Sequence, residues 1–375
     1  MNLKKFLKPV TKSYNLKGYK FILAISVLAL SIVGVLAVGS ARHSLQSRQI
    51  TGVVFGCIAM IIISLIDYKW VLRMYWLLYI LCNISLLLVL IMGDVSGGAK
   101  RWIDFGFIRF QPSELAKILL ILFLAQFIVK HKDNLNTPGV LIQYALLCGI
   151  PLFLIISEPS LSSTITIALI LIVLLFVGGL SFKIIGSALL VIIPIAIIFF
   201  SYVVQPDQKL LPEYQRGRIM AFLEPDQYDD LSYQQNNSEM AIGSGQLNGK
   251  GLNNNTTTSV KKGNFIDEPQ TDFIFAIIGE ELGFIGCMVI IALILIIVIQ
   301  CIAIGIKSSD FGGRLICCGV GGWIGIQSFI NIGVATNILP NTGVPLPFVS
   351  YGLTSLLCLF AGVGFVLNVG LQSKK

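Results

Sequence analysis

Four carboxylates lie in or directly before one strongly apolar stretch of this chain, residues 270–286, QTDFIFAIIGEELGFIG. Asp272, Glu280 and Glu281 belong to the stretch, and Glu268 precedes it. Carboxylates are costly in hydrocarbon, so those at membrane depth usually face a cavity, pair with cations or carry out chemistry. The chain has only 2 histidines in 375 residues, so a carboxylate is the expected proton acceptor. We therefore predict that Asp272 is the catalytic group, the alternative being a helix N-cap.

The elements that must position this acid are membrane spans. The chain is 55% hydrophobic and 12% charged, whereas soluble domains carry about 25% charged residues. A span needs about 20 apolar residues, and ten stretches come near this length. They lie near 21–39, 50–66, 75–92, 113–129, 139–157, 161–179, 184–203, 276–304, 315–336 and 350–370. We predict an all-α, polytopic membrane protein with one membrane domain over 1–375, and we do not interpret the net charge of +8 as a sign of nucleic-acid binding.

Basic residues are concentrated in the N-terminal tail, residues 1–20, and in alternate loops between the spans. Cytoplasmic loops carry the excess of Lys and Arg, so both termini are predicted to be cytoplasmic. No cleavable signal peptide is predicted, and the tail is expected to stay joined to the first span. Two segments with more sequence than a turn requires then face outward. They are 93–112 and 204–271, the second being a large extracytoplasmic loop between spans seven and eight.

The first outer segment leads into a charged cluster, KRWIDFGFIRFQPSELAK at 100–117. Arg101 and Trp102 lie at the expected outer interface, where cations beside an aromatic ring suit a pyrophosphate and an adjacent sugar. A membrane-interface anchor is the alternative role for Trp102. Glu114 and Lys117 are three positions apart and share a helix face. They are expected either to line a polar cavity for a charged lipid headgroup or to form an ion pair that joins helices.

Two further segments have an irregular backbone. The glycine-rich segment (residues 240–252, MAIGSGQLNGKGL) lacks P-loop spacing. It is expected either to follow a tight path at the membrane surface, offering Lys250 to anions, or to be a flexible loop. The proline-rich loop (residues 337–352, NILPNTGVPLPFVSYG) breaks regular helix before the last span, which at membrane depth requires surrounding protein or a cavity. Upstream, Gln327 and Asn331 share a face and are expected to form hydrogen bonds between helices.

Taken in order, these motifs resemble those of the SEDS family, the FtsW, RodA and SpoVE proteins of bacterial elongation, division and sporulation. The likeness runs from the first span to the C-terminus through KRWIDFGFIRFQPSELAK, AIGSGQLNGKG, TDFIFAIIGEELGFIG and LPNTGVPLPFVSYG. It implies a ten-span fold with an extracytoplasmic cavity in the bacterial cytoplasmic membrane. It also implies polymerisation of peptidoglycan glycan strands from lipid II, the undecaprenyl-pyrophosphate disaccharide-peptide, with a class B penicillin-binding protein as partner. Asp272 falls on the family's essential carboxylate.

The chain departs from the family pattern at three places. Where the family usually reads Gln-Pro-Asp-Leu-Gly-Thr, this chain reads EPSLSS at 158–163. One carboxylate is thereby missing at Ser160, and Glu158, two positions away, is the candidate substitute. The chain also reads IDEPQTD at 266–272 and YGLT at 351–354 in place of the usual Leu-Pro-Glu-X-His-Thr-Asp and Tyr-Gly-Gly-Ser. A divergent paralogue with altered activity is therefore an open alternative.

The resemblance implies an inverting glycosyltransferase. Asp272 would accept the proton of the acceptor sugar's 4-hydroxyl as that oxygen attacks the anomeric carbon of the donor glycan, and undecaprenyl pyrophosphate would leave. General-base help contributes about 10²–10⁴-fold, and the departing pyrophosphate needs cations placed beforehand. The candidate substrate-binding residues are Arg101, Trp102, Glu114, Lys117, Arg218, Lys250, Glu281 and Ser350. A divalent cation is a further option for neutralising the pyrophosphate, and no other cofactor is expected.

Two other functions stay open at this point. A transporter that moves lipid II across the bilayer would use as its path the intramembrane polar residues Glu114, Lys117, Gln327 and Asn331. Carboxylates and irregular backbone nevertheless cluster on the predicted outer side, whereas a transporter needs headgroup contacts on both sides. A non-catalytic scaffold that activates a penicillin-binding protein would be consistent with the departures from the family pattern.

Overall fold

The computed structural model of the chain describes residues 19–372 apart from 97–98, 105, 107–108, 159, 206, 209–212, 254–258, 260–265 and 267. Most of the predicted basic tail, and Asp267, therefore lie outside the described residues. Ten helices of the described chain are long and apolar enough to cross a membrane. The prediction of an all-α membrane protein with ten spans is confirmed.

The ten spans are, in chain order, α1 (Phe21–Ala41), α2 (His43–Leu65), α4 (Tyr75–Met92), α5 (Pro112–Lys130), α6 (Pro138–Ser157), α7 (Leu161–Gly178), α8 (Phe182–Val203), α11 (Ile274–Ile306), α12 (Phe311–Ala335) and α13 (Leu353–Gln372). Between them lie α3 (Tyr68–Arg73), α9 (Glu213–Leu223) and α10 (Asp229–Ser244), with single 3₁₀ turns at Lys132–Asn134 and Pro225–Gln227. Because the number of spans is even, the first and last spans have their free ends on the same side of the bundle.

Helices α5, α12 and α13 form the centre of the bundle. Their most apolar windows are 83%, 72% and 83% buried, and α12 packs against α5, α7 and α11. Close packing is possible because α12 is rich in glycine, as membrane helix interfaces often are; Gly319 lies against Ile121 of α5 and Leu174 of α7. Helix α8, in contrast, has 0% of its window buried and is apolar all round, as a helix surrounded by lipid must be.

The second span is longer than its hydropathy indicates. Helix α2 begins at His43, whereas the apolar run begins at residue 50. The added residues, HSLQSRQ, are polar apart from Leu45, so hydropathy does not predict their helicity. Gln49 shows the reason: its side chain is fully buried, and its Nε2 donates a hydrogen bond to the carbonyl of Ser350 at 3.2 Å. The helix is therefore continued by a contact with the proline-rich loop.

A small antiparallel sheet, which the sequence did not predict, occupies the first outer segment. Its strands are β1 (Asp94–Ser96), β2 (Ala99–Asp104) and β3 (Arg109–Phe110), hydrogen-bonded in that order. Strand β2 carries both Arg101 and Trp102. Thr354 of the last span donates a hydrogen bond from Oγ1 to the carbonyl of Arg109 at 2.9 Å. The sheet thus fixes the charged cluster against α13.

The second outer segment, 204–271, is more ordered than a simple loop because two helices, α9 and α10, lie within it. Helix α10 bonds to the end of α12, where a helix leaves carbonyl groups without partners. Gln235 Nε2 donates to the carbonyls of Val334 and Leu339 at 3.2 and 2.8 Å, and Ser238 Oγ donates to that of Ala335 at 2.7 Å. These buried hydrogen bonds hold the segment on the membrane domain.

Helix α11 is kinked at Gly283, which has φ 65° and ψ −164°. An interrupted helix inside a membrane protein needs new partners for its freed backbone groups. Residues 245–251 of the glycine-rich segment supply them: Phe284 donates its N–H to the carbonyl of Gln246 at 2.8 Å, and Gly251 donates to that of Glu281 at 3.0 Å. Of the two expectations for this segment, the tight path matches the structure and the flexible loop does not.

Candidate active site

Asp272 lies directly before α11. Phe273 is at the N-cap position and no side chain caps the helix, so the alternative that Asp272 is an N-cap is wrong. The turn that leads into it is tight: Thr271 donates its N–H and its hydroxyl to the carbonyl of Glu268 at 3.1 and 2.9 Å, and Glu268 has φ 47°. The Asp272 side chain is half-buried at the end of a membrane span, and its carboxyl has no capping role to fulfil.

The surroundings of Asp272 make its carboxyl more basic than that of an ordinary aspartate. Burial raises the pKa of Asp272 to about 6, Arg218 opposes the rise, Glu268 adds to it, and Arg101 also opposes it. A carboxyl with this pKa is still largely ionised at neutral pH, and it is a stronger proton acceptor there than a solvated aspartate. Perturbed carboxyl groups of this kind are concentrated at functional sites.

Gly343 of the proline-rich loop lies against both Asp272 and Arg218. Its φ is +68°, and a Cβ atom at this position would lie 3.1 Å from Asp272 Oδ2 and 3.8 Å from Arg218 Nη1. Arg218, which belongs to α9, donates a hydrogen bond from Nη1 to the carbonyl of Asn341 at 3.4 Å. The acid and the guanidinium are therefore both within 4 Å of one point that only a glycine leaves open.

Two polar side chains tie the backbone around Asp272 to the rest of the protein. Asn331 of α12 donates from Nδ2 to the carbonyls of Asp272 and Val344 at 2.8 and 2.7 Å. Ser350 donates from Oγ to the carbonyl of Thr271 at 2.5 Å and accepts an N–H of its own loop at 2.8 Å. Both hydroxyl contacts of Ser350 are structural, so its predicted contact with substrate stays a prediction.

Arg101 approaches Asp272 from the first outer segment. It is half-buried on β2, and its Nε donates a hydrogen bond to the carbonyl of Glu158 at 3.3 Å. Its charge also acts on the carboxyl of Asp272. The structure thus brings Arg101 and Arg218, from two different outer segments, to one acid. Trp102 is the next residue on the same strand and is half-buried.

Glu114 and Lys117 contact each other inside the bundle. Lys117 Nζ lies 2.6 Å from Glu114 Oε1 and donates to Gln327 Oε1 at 2.8 Å. That amide also accepts from Trp323 Nε1 at 2.7 Å and donates to the carbonyl of Pro345 at 2.9 Å. Both charged side chains are almost completely buried. This geometry favours the ion-pair alternative, in which the pair links α5 through α12 to the proline-rich loop, and contact with a lipid headgroup stays a prediction.

The charged residues near the start of α11 hold the glycine-rich segment in place. Lys250 Nζ lies 2.9 Å from Glu280 Oε1. Glu281 is buried, accepting from Ser40 Oγ at 2.5 Å through one oxygen and from the N–H of Asn253 at 3.3 Å through the other. Lys250 and Glu281 therefore have structural partners here, and their contacts with substrate stay predictions.

In the part of the chain that the structure describes, no group of three or more His, Cys, Asp or Glu side chains could hold a metal ion. The divalent cation suggested for the pyrophosphate accordingly stays a prediction.

Sequence reasoning did not identify Gly343 as part of the site, or the role of Asn331 in holding Asp272. The only local signal for Gly343 was its place in a proline-rich turn, and proline and glycine mark turns in general. Asn331 was expected to bond to another helix, yet it bonds to two carbonyls of irregular backbone, those of Asp272 and Val344. Neither contact follows from spacing along the chain.

The fold and this site define a multi-pass membrane protein with a half-buried acid under the electrostatic influence of two guanidinium groups at one end of its spans. A sequence profile of the FtsW, RodA and SpoVE cell cycle proteins matches residues 15–375. The chain belongs to this family, as its motifs predicted.

Individual relatives agree with this assignment. The peptidoglycan glycosyltransferase MrdB of Escherichia coli K12 is 34% identical over 355 residues, covering 93% of this chain and 92% of the relative. The probable peptidoglycan glycosyltransferase FtsW of Geobacter metallireducens is 33% identical over 391 residues, covering 100% of this chain and 99% of the relative.

Solved structures show the same fold. A chain of a peptidoglycan synthase complex that coordinates polymerisation and crosslinking superposes with a TM-score of 0.78 at 27% identity, over 94% of this chain and 97% of that one. The rod shape determining protein RodA of Thermus thermophilus superposes with a TM-score of 0.69 at 26% identity, over 96% of this chain and 99% of that one. The likeness therefore extends over nearly the whole length of each protein.

Proposed function

We propose that this protein is a peptidoglycan glycosyltransferase that polymerises glycan strands from lipid II, with Asp272 as its general base. The observation that carries the proposal is the half-buried carboxyl of Asp272, with a pKa of about 6, close to both Arg218 and Arg101. Family membership and the relatives named as peptidoglycan glycosyltransferases support the same reaction class.

The proton transfer determines what Asp272 must do. The 4-hydroxyl oxygen of the acceptor sugar forms a bond to the anomeric carbon of the donor glycan, and the bond between that carbon and the pyrophosphate oxygen breaks. The hydroxyl proton passes to Asp272, and undecaprenyl pyrophosphate leaves with the bonding electrons. A pKa near the working pH lets the carboxylate accept a proton while remaining mostly ionised between turnovers.

The two arginines provide the charge that the leaving group requires. Negative charge grows on the pyrophosphate as its bond to the anomeric carbon breaks, and groups held in place beforehand stabilise it most effectively. Arg101 is held by the β2 strand and the carbonyl of Glu158, and Arg218 by α9 and the carbonyl of Asn341. A guanidinium suits a phosphate because of its planar array of donors. We assign both to the pyrophosphate.

The membrane setting follows from the distribution of charge. By the positive-inside rule both termini are cytoplasmic, which places the end of the bundle that carries Asp272 on the extracytoplasmic side of a bacterial cytoplasmic membrane. The structural relative in a peptidoglycan synthase complex supports a partner that crosslinks the strands. We propose that this partner is a class B penicillin-binding protein.

The transporter alternative receives less support. It requires a polar path through the spans, and its candidates were Glu114, Lys117, Gln327 and Asn331. In the structure the side chains of the first three bond to one another, Asn331 bonds to two backbone carbonyls, and all four are almost completely buried. A buried ion pair of this kind supports the helices, since separating it would expose unpaired charges at membrane depth.

The decisive test is polymerisation of lipid II by the purified full-length chain, alone and with a penicillin-binding partner, comparing Asp272→Asn with the native protein. Asparagine keeps the shape of the side chain but cannot accept the proton. We expect loss of at least about 10²-fold in rate, the lower range for general-base help. Asp104→Asn is the matched control, because Asp104 is exposed on the outer sheet.

Both variants must elute as monodisperse protein before their rates are compared. Glycan strands of native length made by Asp272→Asn at the native rate would rule out the general base. Headgroup transfer across liposomes without polymerisation would favour the transporter instead.

A further inference from the structure

Glu158 has a buried carboxyl group without hydrogen-bond partners among the residues that the structure describes. It follows span α6 and is 0% exposed. Neither of its carboxyl oxygens is hydrogen-bonded to any residue that the structure describes. Buried polar groups are nearly always hydrogen-bonded, and an exception calls for an explanation in terms of function, solvent or ligand.

The neighbour that matters for this carboxyl is Arg101. The guanidinium acts electrostatically on Glu158, yet its Nε donates to the backbone carbonyl of Glu158 rather than to the side chain. Among the residues that the structure describes, the thiol of Cys82 on α4 also interacts electrostatically with Glu158. The same guanidinium acts on Asp272. Glu158 is therefore joined to the candidate active site through one shared cation.

We propose that Glu158 is a positioning residue that sets how strongly Arg101 binds the pyrophosphate of the lipid substrate, strongly when its carboxyl is neutral and weakly when it is ionised. The inference rests on the proposed function and deepens it, because it names the group that regulates the pyrophosphate site. This chain has an acid at 158 and a serine at 160, where the family usually has glutamine and aspartate. The pairing of Arg101 with an acid at 158 is therefore a feature of this sequence.

The physical argument begins with burial. An isolated ionised carboxylate is very costly in a dry interior, and such a group takes up a proton instead. Burial accordingly raises the pKa of Glu158 to about 8, against the opposing effect of Arg101. At neutral pH the carboxyl is mostly neutral, so it does not compete with an anion for the arginine.

Above about pH 8 the balance reverses. Ionised Glu158 adds a negative charge beside Arg101, repels a pyrophosphate and offers the guanidinium a carboxylate in its place. By linkage, an anion bound at Arg101 also makes ionisation of Glu158 harder, so binding and protonation favour each other. The alkaline loss of affinity should therefore depend on residue 158 itself and not only on the ionisation of the ligand.

The test is a binding measurement with undecaprenyl pyrophosphate as the probe and the full-length protein in detergent micelles. Dissociation constants are measured at about pH 6.5 and about pH 9 for the native protein, Glu158→Gln, Glu158→Asp and Arg101→Gln. We expect native affinity to fall about fivefold between the two pH values, the tenfold limit of a one-unit linked pKa change being reached only above both pKa values. Glu158→Gln should lose this dependence, whereas Glu158→Asp should retain it.

Arg101→Gln is expected to bind weakly at both pH values, because it removes the cation on which Glu158 acts. A Glu158→Gln protein with the native alkaline loss would overturn the proposal, as would an Arg101→Gln protein with native affinity. Thermal unfolding and elution profiles identify any variant that misfolds. If Glu158→Gln misfolds, Glu158→Asp decides the matter, since loss of pH dependence with the acid still present also contradicts the proposal.

Binding needs no turnover, so the outcome is independent of the general-base test. Loss of polymerisation in Asp272→Asn with unchanged pH-dependent binding supports both conclusions. A native protein that binds the probe as described but never polymerises lipid II contradicts only the proposed function.

Discussion

Asn331 holds the backbone of Asp272 from the neighbouring span, with 2.8 Å between its Nδ2 and the carbonyl oxygen of the acid. The same nitrogen donates to the carbonyl of Val344 at 2.7 Å. One amide therefore fixes the turn that carries the acid relative to the proline-rich loop that lies beside it. The position of the base depends on α12 as well as on its own helix.

Replacing Asn331 with alanine should lower the polymerisation rate while leaving the protein folded. Misplacing a catalytic group by about 1 Å costs roughly 10²-fold, and Asn331→Ala removes both bonds that fix this one. The measurement is kcat for lipid II with the purified variant. Asn83→Ala is the control, since Asn83 Nδ2 donates to a carbonyl of its own helix at 2.8 Å. Equal rates for the two variants would show that Asn331 does not position the acid.

Gly343→Ala should damage the site more than its backbone strain alone explains. The φ of +68° makes alanine unfavourable there, by about 1–2 kcal/mol, and the added methyl would also crowd the carboxyl of Asp272, whose Oδ2 would lie 3.1 Å from the new Cβ. We expect a loss of about 10²-fold in kcat.

The matched control is Gly179→Ala, because Gly179 has φ +96° and open space within 4 Å. The Gly179→Ala substitution imposes similar backbone strain away from the site, so the polymerisation rate of this variant should stay near native. If both variants lose activity equally, the effect is backbone strain and not crowding of the acid.

The pH profile should carry the signature of Asp272. Since a protonated carboxyl cannot accept a proton, kcat/KM, which reports the ionisation of the free enzyme, should fall about tenfold per pH unit below the pKa of about 6. It should level off toward neutral pH as the carboxylate form becomes complete. Measuring kcat/KM from acid to neutral pH tests this, and a profile with no acid limb between these limits would contradict the assignment of Asp272 as base.

Glu114 and Lys117 should matter more for stability than for substrate affinity. Removing one member of a buried ion pair leaves an uncompensated charge and costs about 3–5 kcal/mol. Glu114→Gln should therefore lower the unfolding temperature in detergent, and the double replacement Glu114→Gln with Lys117→Met should recover part of the loss. Asp104→Asn, at an exposed ion pair with Arg109, serves as the control.

The opposite result would restore the lipid-binding alternative for this pair. It would consist of native unfolding temperatures together with a large rise in KM for lipid II. Uniform loss of ground-state binding raises KM without changing kcat, so the two roles are separable by one kinetic and one thermal measurement.

The sequence by itself determined the spans and pointed to the acid. Hydropathy is a local property, and a chain that crosses hydrocarbon must satisfy its backbone within each helix, so the number of spans could be counted before folding was considered. Asp272 was identifiable for a similar reason. A carboxylate next to such a span is costly, and those that occur there usually face a cavity, pair with a cation or carry out chemistry. The start of α2 was placed too late because its first turns are held by Gln49 and not by hydropathy.

The tertiary structure alone decided which residues meet at the acid. Arg101, Arg218, Gly343 and Asn331 come from four separate segments, and their approach to Asp272 depends on how a sheet, a helix and an irregular loop pack on the bundle. The same packing turned Lys117 toward Glu114 and Gln327. Contacts between distant segments are fixed by the packing of the whole chain, since local periodicity specifies which face a side chain occupies but not which neighbour it finds there.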